Sequence, residues 1–354
     1  MKKSSKILLI SLVSILSVAT ASFGIIYFSF LHRYKGKDIN NEWSSKQVFT
    51  IDDTITLEKE KDKDFIVLNF ADIQMADLED FFHQDTVHRE LKYLVDTYKP
   101  DLITLTGDQT WSNENLLSLK AIISYMEEFQ TPWAPIFGNH DYGNKKDSAV
   151  ASQNYCCDLY ENAKFCLFNR GPTNLGALGN YIINIKEEDK IIKTLYMMDL
   201  GYNEEITTKQ IEWFKWNAEG IKKCNEKKYS SGIVFTHKEL PQFLEALNYY
   251  NNIDNTCAES EVIVHMGFAK VNDNGFTEIA KDCGVKDFIC GHEHYNNFTI
   301  NYNNARFTFA LKTTEIFGYY EDEDYYLNGA TSITINSEGT SIHHNFVERG
   351  KFKI

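Results

Sequence analysis

Four times in this chain an apolar run that reads as a buried strand stops abruptly at a short polar cluster. Residues 65–70 lead into Asp72-Ile73-Gln74, and 101–106 into Gly107-Asp108-Gln109. Residues 133–137 lead into Gly138-Asn139-His140-Asp141, and 286–290 into Gly291-His292-Glu293-His294. A fifth run, 232–236, meets His237 directly. Segments between the runs place apolar residues at helical spacing, as in Leu116, Leu119, Ile123 and Met126. Short strands alternating with helices predict parallel βαβ units, hence an α/β chain. In such sheets the carboxyl ends of the strands share one rim, where the clusters can meet.

The same reading puts helices at 86–98, 114–129, 207–221, 239–248 and 276–283, and further strands at 181–185 and 193–198. The end is rich in strands, at 297–301, 306–311, 331–335 and 341–346. With 43% hydrophobic and 14% aromatic residues, the chain can bury a large core. The simplest partition is one catalytic domain over 64–350, with a charged juxtamembrane spacer over 38–63.

Residues 1–37 stand apart. Lys2, Lys3 and Lys6 precede an uncharged run from Ile7 to Leu31, long enough to cross a bilayer as a helix. Ala19-Thr20-Ala21 has the form of a signal-peptidase site, so secretion after cleavage is the alternative to an uncleaved transmembrane anchor. Either way the remainder is expected outside the cytoplasm. Residues 1–37 carry six Lys/Arg and no acid, so the chain's net charge of −14 leaves −20 on the rest. A surface that acidic repels polyanions and argues against a nucleic-acid partner. The seven cysteines show no zinc-ligand spacing, and their odd number leaves at least one outside any intrachain disulfide. Asn297-Phe298-Thr299 fits an N-glycosylation sequon.

Carboxylate, amide and imidazole groups without thiolates suit a catalytic site for Mn, Zn or Fe. Two metal ions can be served if Asp108 bridges them. Asp72 and His294 would complete one site, and Asn139, His237 and His292 the other. Such a pair binds phosphoryl oxygens and activates a bridging hydroxide for in-line attack. His140 is placed to protonate the leaving oxygen, with Asp141 as its orienting carboxylate. His265 is a candidate substrate contact. Glu321-Asp322-Glu323-Asp324, flanked by Tyr319, Tyr320, Tyr325 and Tyr326, reads as a solvated loop, and His83, His88, His343 and His344 lack ligand spacing.

In this order the clusters resemble the calcineurin-like metallophosphoesterases, whose pattern runs D-x-H, GD, GNHD/E, H and GHxH. The resemblance spans about 65–320 and is similar to the purple-acid-phosphatase-like branch. Pro100-Asp101-Leu102, Gly171-Pro172-Thr173, Gly179-Asn180-Tyr181, Leu195 to Asp199 and Thr236 to Pro241 carry that branch likeness. It implies a four-layer α-β-β-α sandwich and phosphate-ester hydrolysis at a dinuclear centre. Two positions depart from the pattern. Gln74 stands where the family has a histidine, and its carbonyl is a weaker metal ligand. Trp111 stands where the purple enzymes have a tyrosine ligand, so no iron-tyrosinate is expected. The expectation is thus a membrane-anchored phosphomonoesterase. A phosphodiesterase of nucleotides or lipid head groups, and a non-catalytic scaffold on a decayed fold, are the alternatives.

Overall fold

The structure, a computed structural model, describes Thr20 and residues 34–75, 84–111, 115–142, 151–201, 204–314, 327–348 and 350–352. In chain order the strands are β1 (Ile55–Lys59), β2 (Phe65–Phe70), β3 (Leu102–Thr106), β4 (Trp133–Ile136), β5 (Tyr181–Glu187), β6 (Lys190–Met197) and β7 (Ser231–Phe235). They continue with β8 (Ile263–Val264), β9 (Val285–Cys290), β10 (Asn296–Tyr302), β11 (Ala305–Phe309), β12 (Gly329–Asn336) and β13 (Gly339–Phe346). The helices are α1 (Gln84–Tyr98), α2 (Asn115–Glu128), α3 (Gln153–Glu161), α4 (Thr208–Cys224), α5 (Pro241–Asn252) and α6 (Phe276–Asp282).

Two mixed sheets result. One runs β13-β12-β2-β3-β4, and the other β1-β5-β6-β7-β9-β11-β10-β8. In the smaller sheet β2, β3 and β4 are parallel, with Val67 opposite Leu102 and Ile103 opposite Trp133. The larger sheet is apolar on both faces, as its strand sequences require. Ile183, Leu195, Met197, Ile233, Phe235 and Ile289 join the smaller sheet's core. Their neighbours Ile182, Tyr196, Val234 and Phe288 pack instead with Phe214 of α4, Phe243 of α5 and Phe276 of α6. Leu91 of α1 and Ile122 of α2 belong to the first core. The four-layer α-β-β-α order that the resemblance implies is the order found.

The charged stretch 38–63 is not a spacer. Trp43 is buried and exchanges hydrogen bonds with Asn174, its N–H donating to Oδ1 at 3.0 Å and its carbonyl accepting from Nδ2 at 2.9 Å. β1 pairs in parallel with β5 as the sheet edge. Its charges, which suggested a linker, are cross-strand partners: Lys59 pairs with Glu187, Lys61 with Glu188, and Glu58 with Lys186. The expected anchor over 7–31, its Ala19–Ala21 site (Thr20 apart), His83 and the acidic stretch 321–324 lie outside the described residues. Among the described residues no helix is long and apolar enough to cross a membrane.

The sequon is buried rather than displayed. Asn297 is 1% exposed, and its Nδ2 donates to Nδ1 of His344 at 2.9 Å across the two sheets. Nε2 of His344 lies 3.0 Å from Thr299 Oγ1. With Nδ1 accepting, the ring is neutral, and burial together with His343 pushes its pKa down to about 4. An unfolded histidine titrates near ~6.5. Between those values the unfolded chain binds a proton that the folded chain refuses, so stability falls as pH drops from about 6.5 to about 4. The expected loss is on the order of 2 kcal/mol, allowing for screening at the partly exposed ring edge. Thermal melting at pH 6.5 and 4.5 tests it: the drop should shrink in His344→Gln, and an equal drop in both proteins refutes the assignment.

Candidate metal centre

Each polar cluster follows its strand through a backbone bend that aims the side chain inward. Asp72, Gln74, Asp108 and His292 all have positive φ, at 52°, 52°, 50° and 75°. Non-glycine residues held there cost stability and gather at functional sites. The bends are fixed by the backbone: Asp72 N–H donates to Gly107 O and Gln74 N–H to Asp108 O. Two glycines are required by close approach. A Cβ at Gly107 would run into the His237 ring, and one at Gly138 would collide with the backbone and carboxylate of Asp108.

The five clusters converge as the strand order demands. Asp72, Gln74, Asp108 and Asn139 come from the exits of β2, β3 and β4, and His237, His292 and His294 from those of β7 and β9. Two groups have ligand atoms lying within 4.8 Å of one another: Asp108, His237 and His292, and Asp72, Asp108 and His294. Asp108 is common to both. Asn139 joins the first, with Oδ1 at 3.1 Å from His237 Nε2. Gln74 joins the second, with Nε2 at 2.9 Å from His294 Nε2.

The donor set fits metal ions. Asp72 Oδ1, Gln74 Oε1 and Asp108 Oδ2 are buried, and none accepts a hydrogen bond among the described residues. Buried oxygens of this kind are costly unless a cation serves them. His237 makes the same point. Its Nδ1 faces Thr106 O at 2.9 Å, while Nε2 faces Asn139 Oδ1 and, at 3.3 Å, Asp108 Oδ2. Even with both ring nitrogens protonated, the imidazole has two protons for these three oxygens. Burial alone would lower the His237 pKa, but the Asp108 carboxylate outweighs it and holds the value up to about 10. Burial raises the Asp108 pKa, and His237 and His140 more than reverse this, keeping the carboxylate ionised. For His292, burial with His237 and Lys238 nearby holds the pKa well down, leaving a neutral ring with a lone pair to offer.

His140 lies at the edge of this cluster, its Nε2 3.9 Å from Asp108 Oδ2 and its backbone N–H donating to Asp108 Oδ1 at 2.8 Å. The expected orienting role of Asp141 is not what the geometry gives. Asp141 Oδ1 accepts from Thr110 N–H at 2.9 Å and Oδ2 from Gly138 N–H at 2.7 Å, so its carboxylate ties two turns together. Burial and Asp108 push its pKa up to about 8. The group that touches the His140 ring is Trp111, stacked on it with centroids 4.1 Å apart and planes at 25°. An aromatic residue three places after the Gly-Asp aspartate was visible in the sequence, but its stacking depends on the direction of the turn. His265 is exposed, and Met266 is the residue of that loop that lines the cleft over the cluster.

Two packed sheets with Asp, Asn and His side chains gathered at their strand exits define a metallophosphoesterase. The chain belongs to the calcineurin-like phosphoesterase family, whose profile matches residues 65–296. No curated protein matches it in sequence. Similar solved structures include GAP50, described as the anchor in the inner membrane complex of Plasmodium, at 12% identity and TM-score 0.45. That match covers 82% of this chain and 90% of that one. A dimetal phosphatase from Danio rerio is similar at 11% identity and TM-score 0.45, covering 80% of this chain and 97% of that one.

Proposed function

We propose that the chain hydrolyses phosphate monoesters at a two-metal centre, with Asp108 shared between the ions. The observation that carries this is the pair of ligand groups meeting at Asp108, with buried oxygens of Asp72 and Asp108 that accept no hydrogen bond among the described residues. Asp72, Asp108, His294 and Gln74 would hold one ion, and Asp108, Asn139, His237 and His292 the other. Bound ions supply charge that neutralises the phosphoryl oxygens and an acidity that makes water nucleophilic near neutral pH. The chain's own groups do the rest. His237 is fixed by Thr106 O, so that Nε2 points into the cluster. His140, partly exposed at the cleft and supported by Trp111, gives its proton to the departing oxygen. The uncharged run 7–31 supports placing this domain outside the cytoplasm on a membrane anchor.

The test is hydrolysis of an aryl phosphate and of its bis-aryl diester by the full chain, with Mn, Zn or Fe, or with chelator. Monoester turnover that chelator abolishes and metal restores is expected, at least tenfold above diester turnover. Preference for the diester, or no turnover with any of the three metals, rejects the proposal.

A further inference from the structure

The cleft above the cluster has a volume of about 460 Å³, with Asp108, His140, His292 and His294 in its floor. Its remaining wall is unlike that floor. Trp111, Met266 and Tyr295 line it with large apolar surfaces, and Glu293 is the one acidic residue beside them. Trp111 lies face to face with His140, whose Nε2 is 3.9 Å from Asp108 Oδ2. Met266 is 40% exposed. Its place is nonetheless built. Asn296 is only 1% exposed, and its Oδ1 accepts from the N–H groups of both His265 and Met266 at 3.0 Å. Its Nδ2 donates back to Met266 O at 3.4 Å. Tyr295, adjoining that asparagine, is 7% exposed. Three hydrogen bonds with one buried side chain thus fix the backbone that carries an exposed methionine, in the same cleft as the indole and the proton donor. Methionine and tryptophan favour contact with flat, polarisable groups.

We propose that Trp111, Met266 and Tyr295 form a leaving-group subsite, and that the substrates are phosphate monoesters whose alcohol portion presents a flat aromatic face. The inference rests on the hydrolytic reading above and narrows it to a substrate class. Trp111 has two parts in it: it supports the His140 ring, and its exposed edge is a wall for the leaving group. Glycerol-like or small alkyl esters would leave that wall unused.

Two measurements separate this inference from the reading it rests on. The first is binding of phenylphosphonate and methylphosphonate to the Mn-supplied full chain by calorimetry, which needs no turnover. The phenyl compound is expected to bind at least tenfold more tightly. That ratio should fall at least fivefold in Trp111→Ala and in Met266→Ala, and less in Trp111→Phe, which keeps a ring. The second is kcat/KM for phenyl phosphate, adenosine 5′-monophosphate and glycerol 3-phosphate. Preference for adenosine 5′-monophosphate over glycerol 3-phosphate, both esters of primary alcohols, supports the subsite, and a lead of phenyl phosphate, whose phenoxide departs more easily, supports it only where that lead shrinks in Met266→Ala. Equal affinity for the two phosphonates, or a ratio unchanged in both alanine variants, overturns the proposal. Phosphonate discrimination without turnover of any ester upholds the subsite and sinks the hydrolytic reading. Met266 sits on the surface, so its variant tests the idea even where Trp111→Ala folds poorly.

Discussion

Asp108→Asn is expected to lower kcat/KM for an aryl phosphate by about 10³-fold or more, an effect on the order of 4 kcal/mol. No other side chain belongs to both ligand groups. The amide keeps the shape and the acceptor for His140 N–H, so the turn after β4 should survive. It removes the negative charge that holds His237 protonated in the metal-free chain and would hold two cations in the loaded one. The fold should therefore persist while metal content falls. Elemental analysis beside steady-state kinetics checks this. Activity within tenfold of the parent, at full metal content, would remove Asp108 from the centre of the proposal.

His140→Ala is expected to separate the two losses. General-acid catalysis contributes about 10²–10⁴-fold. The alanine variant keeps the backbone N–H that donates to Asp108 Oδ1, and it disturbs none of the atoms grouped around Asp108. Metal content should then match the parent while kcat drops. The drop should be steepest for esters with poor leaving groups, because those need the proton most. A series of aryl phosphates of rising phenol pKa measures it. A uniform loss across the series would mean that His140 binds substrate instead of donating a proton.

Much of this site was legible because its chemistry sits at fixed places in the chain. A short apolar run such as Val67-Leu68-Asn69-Phe70 reads as a buried strand, and the carboxylate that follows then emerges at its end. The parallel strands then bring Asp72, Asp108 and Asn139 side by side. The gathering of His237, His292 and His294 opposite them rests on sheet pairing, which local sequence does not dictate. β9 lies between β7 and β11, a crossover that residue pattern alone leaves open. What escaped the sequence was whatever depended on a partner far along the chain. β1 looked like a linker because its charges are answered by Glu187 and Glu188, more than a hundred residues away. Asn297 fits a sequon, and its burial could not be read locally because its partner, His344, arrives from the other sheet. Asp141 lost its expected orienting role for a third reason: its carboxylate is taken by the hydrogen bonds of one tight turn, and Trp111 is what stacks on the imidazole.

The division of the ligands between the sheets has a thermodynamic consequence. Asp72, Gln74, Asp108 and Asn139 belong to one layer, and the three histidines to the other. A cation seated among them is held by neither layer alone, so it binds the closed sandwich and not the opened chain. By mass action, free metal at a hundred times its dissociation constant adds about 2.7 kcal/mol against opening. Ion supply would then govern not only turnover but the lifetime of the folded chain. A chain short of metal would then open more often and be cut more readily by an added protease, with nothing required beyond the seam between two sheets.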